Sequence, residues 1–462
     1  MDIVECMTRL AFDPFFDITF LNERTIHQAV AIEVRINAED PLRDFRPCPG
    51  HLNEVCFPSF PGLRVDSGVM RGSEVSIYYD SLIAKVIVHA DSRKEAISLM
   101  IRALHDTKIL GLTSTLEYAI SILSSEAFAQ MQLSTKFLNK FQYSPSVIEV
   151  LDGGGFTTVQ DYPGRIKYWS VGVPPSGPMD SLSHRLANHL VRNEDSMAAL
   201  ECTSRGPTLL FHQDALIAIT GGEVSVQIDG ELKPMFTPIF IKAGSVLKVG
   251  SVVKGMRCYL AVRGGIQSFV YLNSRSSFVL GKFGGVHGDG ATLKAGDYIP
   301  IFAAAGDGQK APQSNNSLSP ALLDRFNFHS RVEVGVLYGP HGAPDFFTQE
   351  YIDRLFASDF DVHYNSSRLG VRLVGPVPSW TRADGGEAGL HPSNIHDCVY
   401  SMGSLNFTGD SPVILTCDGP SLGGFVCPVV IAKAELWKVG QLKVRANINV
   451  PSYCFLSMFC AF

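Results

Sequence analysis

From Val147 to about Ala303 the chain advances in short β-prone runs, each cut off by glycine: IEVLDGGGFTTVQDYPG, LIAITGGEVSVQIDG and RCYLAVRGGI. Turn signals recurring at roughly eight to twelve residues point to a barrel or sandwich of short strands. The 42 glycines and 26 prolines of the 462-residue chain are what such a fold consumes in turns. One helix interrupts, MDSLSHRLANHLV (179–191), with Leu182, Leu186 and Leu190 on one face. A second β-rich block runs from Arg331 to about Val444.

The first 145 residues have a different texture. VAIEVRI (30–36) alternates like a strand, and SIYYDSLIAKVIVHA (76–90) reads as two strand-like runs around Asp80-Ser81. SRKEAISLMIRALHDTKIL (92–110) places Ala96, Met100, Ala103 and Leu104 at helical spacing, with Ser92 as N-cap before Glu95. LEYAISILSSEAF (116–128) reads as a second amphipathic helix. The fold class is therefore α+β followed by mainly β. The domain reading is 1–145, 147–303, a breaker-rich linker at 304–330, 331–445, and a tail at 446–462.

Net charge is −6, from 39 basic against 45 acidic residues, with no basic tail or stripe, so nucleic acid is not an expected partner. No stretch of about 18 uncharged apolar residues offers a membrane span. The ten cysteines form no C-x-x-C pair. With no secretory signal in MDIVECMTRLAFDPFFD, reduced thiols and a cytoplasmic location are expected. No metal site is expected.

Several clusters could carry chemistry. Arg64 and Asp66 fall on one strand face, either as a surface ion pair or as a clamp for an anion. The segment 365–398 is the densest: Arg368 and Arg372, then Glu387, His391, Asn394, His396 and Asp397 on a loop studded with Gly and Pro. Such side chains on an irregular segment suit orientation of a small polar ligand and proton transfer, or else a solvated loop. Gln160, Asp161, Ser176 and Asp180 lie on turns before the 179–191 helix, where Asp180 either caps the helix or helps hold an anion or carbonyl. Asp418 and Ser421 project from the DGPS turn, and the flanking Cys417 and Cys427 read as small core residues.

Longer motifs carry a family resemblance. AIEVRINAEDPLRDFRPCPG, LRVDSGV and YYDSLIAKVIVHADSRKEAI resemble the C-terminal part of a biotin carboxylase domain, over residues 1 to about 142. VQDYPGRIKYWSVGVPPSGPMD, GEAGLHPSNIHD and DGPSLGGFVCPVVIAKAELWKVGQ resemble the carboxyltransferase of the urea carboxylase family, over about 147–443. The resemblance implies cyclophilin-like β-barrel subdomains of KipA type. It implies carboxyl transfer from carboxybiotin, borne on a carrier domain, to urea, giving allophanate. Biotin, ATP and magnesium are the family's cofactors. Urea, a biotinyl carrier domain and a second carboxyltransferase half are its implied partners, with a homodimer through the biotin carboxylase region.

By motif, Arg64 is similar to the arginine that steadies bicarbonate and the biotin enolate. Arg368, Arg372, Glu387, His391, Asn394 and Asp397 become catalytic candidates. Gln160, Asp161, Ser176, Asp180, Asp418 and Ser421 become substrate-binding candidates. A carboxylate or His391 is expected to handle the urea proton, with Asn394 and an arginine orienting the carbonyl. Two positions depart from the family pattern: Ser114, where asparagine follows G-x-x-T, and Cys398, where asparagine follows His-Asp. The ATP-binding segment and the biotinyl lysine have no counterpart here, so a truncated, incomplete urea carboxylase is the expectation. A catalytically inactive interaction module and a KipA-like 5-oxoprolinase subunit are the alternatives.

Overall fold

The computed structural model describes residues 3–13, 15–19, 29–302, 318–382, 385–444 and 446–451. The chain divides into two compact units, Met1–Tyr143 and Ser144–Phe462.

The first unit is built on an antiparallel sheet with Leu82–Ala90 between Val30–Asn37 and Leu63–Ser67. The helix Arg93–Asp106 covers it. The anticipated stripe Ala96, Met100, Ala103 and Leu104 is fully buried against Ile36, Val86 and Val88. Ser92 caps the helix by accepting from the Glu95 N–H.

Two expected elements come out differently. Residues 76–79 form a turn, because the Tyr78 N–H bonds to Ser76 Oγ and the Leu82 N–H to Asp80 Oδ1, which diverts donors a strand would need. The helix expected over 116–128 breaks into Leu116–Leu123 and Glu126–Ala129. There Ser125 Oγ donates to the Ile122 carbonyl and accepts from the Phe128 N–H, ending one helix and starting the next.

The second unit is mainly β. Its first part has a six-stranded sheet around Val147–Asp152 and Thr208–Phe211, and a five-stranded sheet around Ala199–Thr203, Lys254–Val262 and Ala215–Glu223. Together they enclose Ile148, Val150, Leu209, Ile217 and Leu260. The helix Ser181–Leu190 lies on the outer face of the five-stranded sheet, packing Leu186, Ala187 and Leu190 against Leu216, Ala218 and Tyr259.

Its second part is one eight-stranded sheet, running in space from Arg331–Glu333 through Asn447–Asn449, Asp359–Val362 and Gly370–Val374 to Val336–Tyr338. Phe347, Tyr351, Phe360, Phe407 and Ile448 fill its core.

The residues called linker and tail divide. Residues 304–317 and 452–462 lie outside the described residues. Pro320–Asp324 is a short helix, and Phe326 beyond it is buried against the Ser181–Leu190 layer. The tail assigned from residue 446 begins instead as a core strand: Ile448 and Val450 are buried, and Asn447–Asn449 bonds to strands on both sides.

Candidate functional site

The candidates sort into a buried set and an exposed set. The buried set centres on the turn 173–180, which backs onto the loop 160–165. Glycine is required at both contacts: a Cβ on Gly164 would lie 2.4 Å from the Pro175 carbonyl, and one on Gly177 would lie 3.1 Å from that of Asp161. Both glycines also hold positive φ.

Arg368 reaches this turn from the second sheet. Its Nε and Nη2 donate to Asp418 at 2.8 and 3.2 Å, Nη1 to Glu201 at 2.6 Å, and Nη2 to the Gly177 carbonyl at 2.8 Å. Glu201, wholly buried, also accepts from the Met179 N–H and the Tyr259 hydroxyl at 2.8 Å each, and Arg257 lies 3.5 Å away. Burial pushes its carboxyl up, but Arg368 and Arg257 outweigh that and hold it below the usual range. The Ser176 N–H donates to the Cys417 carbonyl at 2.9 Å, completing the join between the turn and residues 416–419.

Asp180 caps the Ser181–Leu190 helix, accepting from the Ser183 N–H and hydroxyl and from Gln441 Nε2. Burial pushes its carboxyl up to about 6, against the opposing pull of the Ser183 and Gln441 hydrogen bonds. Asp161 braces residues 274–276, accepting from the Ser274 and Ser276 hydroxyls at 2.6 Å and the Arg275 N–H at 2.7 Å. Gln160 Nε2 donates to the Ser277 carbonyl at 3.3 Å. Cys417 and Cys427 are buried, their thiols pushed up to about 12 by desolvation, so neither is a nucleophile at neutral pH. Arg368, Asp418, Asp180 and Asp161 are thus occupied in holding the frame.

The exposed set lies on 385–399. This loop is tight: a Cβ on Gly386 would lie 2.3 Å from the His391 carbonyl, and Ala388 sits at φ 55°. Arg382 braces it, donating to the Asn394 carbonyl at 3.0 Å and standing 3.7 Å from Glu387. The Ser393 N–H donates to His391 Nδ1 at 3.2 Å, which leaves the neutral ring's proton on Nε2, 3.5 Å from Asp410. Trp380 Nε1 donates to the same Asp410 oxygen at 2.9 Å.

The strand Asn394–Val399 pairs with Leu422–Phe425, but its register breaks between Asn394 and Cys398. His396 and Asp397 arch out there, exposed, a use of irregular strands common beside active sites. The Asp397 carboxylate makes no hydrogen bond or ion pair among the described residues. Asn394 Nδ2 is given to the His391 carbonyl at 3.1 Å. Ser421 sits at the base of this hairpin, its carbonyl accepting from the Tyr400 N–H at 2.8 Å.

Two candidates stand apart. Arg372 faces solvent from Gly370–Val374 and joins neither set. Arg64, in the first unit, is held bidentately by Asp66 at 2.9 and 2.8 Å. Sequence reasoning missed Glu201, Arg257, Tyr259 and Gln441 in the frame, and Trp380, Arg382, Ser393 and Asp410 around the loop. Among the described residues no group of three or more His, Cys, Asp or Glu is placed to hold a metal ion.

The two units, one α+β and one β-rich, fall where two family models match. These are the biotin carboxylase C-terminal domain over 33–140, and the carboxyltransferase domain, subdomains A and B, over 171–450. The second match runs past Lys443 through the strand Asn447–Asn449.

The chain belongs to this carboxyltransferase family and is a homologue of urea amidolyase and urea carboxylase. It is 47% identical to urea amidolyase of Saccharomyces cerevisiae over 452 residues, 97% of this chain and 24% of that one. A putative urea carboxylase of Emericella nidulans is 39% identical over 97% of this chain and 36% of its own. The crystal structure of Kluyveromyces lactis urea carboxylase superposes with a TM-score of 0.88 at 47% identity, covering 98% of this chain and 40% of that chain. The chain therefore spans about a quarter to two-fifths of the relatives it matches.

Proposed function

We propose that the second unit contributes part of a carboxyltransferase site that passes a carboxyl group from carboxybiotin to urea, and that the loop 385–399 is its proton-handling face. One observation carries this reading: Asp397 and His391 stand exposed on a braced loop, whereas Arg368, Asp161, Asp180 and Asp418 are spent on the frame. Carboxybiotin, brought by a carrier domain, would supply the activated carboxyl group. Forming the new N–C bond requires urea nitrogen to lose a proton, and in this reading Asp397 takes it. Asn394 Oδ1 is left to accept a urea N–H, since its Nδ2 is engaged. His391, its tautomer set by Ser393 and Asp410, orients the loop and presents an N–H edge. Arg64 contributes to carboxylating biotin only by parting from Asp66 to meet an anion.

The test is allophanate formation from urea with a carboxybiotin-charged carrier. Asp397→Asn is expected to lower kcat by about a hundredfold or more, the usual share of a general base, with KM for urea little changed. Retention of wild-type kcat by that variant, with folding intact, would sink the assignment.

A further inference from the structure

A separate feature of the second unit is a cleft of about 390 Å³ walled by the loop 161–168 with Ser196 and Asn273. None of the residues of loop 385–399 lines it. Its size falls in the range of small-molecule sites, roughly 300–1,000 Å³.

The wall has an unusual cation. Lys167 is exposed, makes no hydrogen bond or ion pair among the described residues, and holds φ at 78°. A left-handed lysine is strained and persists only where its surroundings dictate it. Here they do. Arg165, two residues before, is anchored through its Nε to the Tyr271 carbonyl at 3.2 Å and its Nη2 to that of Ser276 at 2.6 Å. One residue after, the Tyr168 carbonyl accepts from the Val171 and Val173 N–H groups. Lys167 is therefore projected from a loop pinned on either side.

The one carboxylate in the wall does not cancel that charge. Both oxygens of Asp161 are occupied by the Ser274, Ser276 and Arg275 donors, and Arg165 and Arg275 supply the positive charges that face it. Tyr162, Tyr168, Pro163 and Ile166 give the wall flat or apolar surface, and Ser196 and Asn273 add uncharged polar groups. Asn273 Nδ2 reaches the Tyr168 hydroxyl at 3.4 Å, fixing that ring's rim.

We propose that this cleft binds a small carboxylate borne on a flat organic body, with Lys167 taking the carboxylate and the two tyrosines the body. The chemistry fits two sources, a free organic acid or a carboxylated ureido ring brought by a carrier. The proposal does not rest on the role given to Asp397.

The full 462-residue chain is titrated with benzoate, benzamide and acetate, following tryptophan fluorescence (Trp169 adjoins the loop) and calorimetry. Benzoate is expected to bind saturably, with benzamide and acetate each at least tenfold weaker. Lys167→Met is expected to lose that preference for the acid and Lys167→Arg to keep it, with unfolding midpoints unchanged in both. Equal binding of benzoate and benzamide, or full benzoate affinity in Lys167→Met, overturns the proposal. A peptide whose biotinyl ring has been carboxylated and which displaces benzoate assigns the cleft to a carrier's carboxylated ureido ring; benzoate binding untouched by that peptide assigns it to a free acid.

Discussion

Asp180 shows how a side chain can be legible in the sequence for one role and serve several. Its N-capping position could be read from the turn before a helix, and the cap is there. Its other ties could not be read, because Gln441 is 261 residues away and Tyr259 lies inside a strand that reads as plain core. The same holds for Arg368: its placement in a polar segment was visible, but Glu201 sits within ALECT, a buried strand with nothing to mark it as an ion partner.

Asp180 also sets a pH dependence. Its folded carboxyl is raised to about 6 from 3.8, mainly by burial. Between those values the folded chain keeps a proton that the unfolded chain has released. The group's contribution to stability is therefore full below about pH 4, declines as pH rises through 4 to 6, and is flat above. A shift of about two units corresponds to about 3 kcal/mol. Asparagine keeps the cap and removes the titration. Guanidinium chloride unfolding of Asp180→Asn and parent should diverge in the variant's favour by about that amount between pH 4 and 7.5. A difference that stays constant across this range would show that Asp180 does not titrate there.

At the level of elements, the strand Asn447–Asn449 is the instructive case. Three residues, NIN, carry no alternation long enough to announce a strand, and the family resemblance ends near Lys443, so they read as a tail. Tertiary pairing decides the matter: the segment bonds in parallel to Arg331–Glu333 and antiparallel to Asp359–Val362. Its central side chain, Ile448, is fully buried among Val334, Phe360 and Val450. Truncating it leaves a cavity in a packed core, so Ile448→Ala should destabilise the second unit by about 2–5 kcal/mol. A loss under about 0.5 kcal/mol would mean the strand is not part of the core in solution. By contrast the helix within 92–110 was legible in its cap and its buried stripe, although it ends at Asp106 and Lys108–Leu110 turns into a strand.

On the scale of the whole molecule, texture along the chain was readable because α+β and β-rich stretches follow one another without interleaving. The joint inside the second unit was not. Its two β-rich parts have separate apolar cores, and beside the packing of Trp437 on Phe326 and Phe328 the ties between them are polar: Arg368 to Glu201, Gln441 to Arg257 and Asp180, and Ser176 to Cys417. A buried ion network of this kind adds little when intact relative to apolar packing, but removing one partner strands the others and costs about 3–5 kcal/mol. Arg368→Met should therefore act on the second unit alone. The first unit has its own core around Met100, and Met100→Ala should act only there. Calorimetry of the chain is expected to show two transitions, one lowered by several degrees in each variant and a different one in each case. The Arg368→Met transition should also broaden, as the two β-rich parts lose their shared anchor and uncouple. A single transition displaced alike by both substitutions would show that the two units melt as one, and that the Arg368 network is not what ties the β-rich parts together.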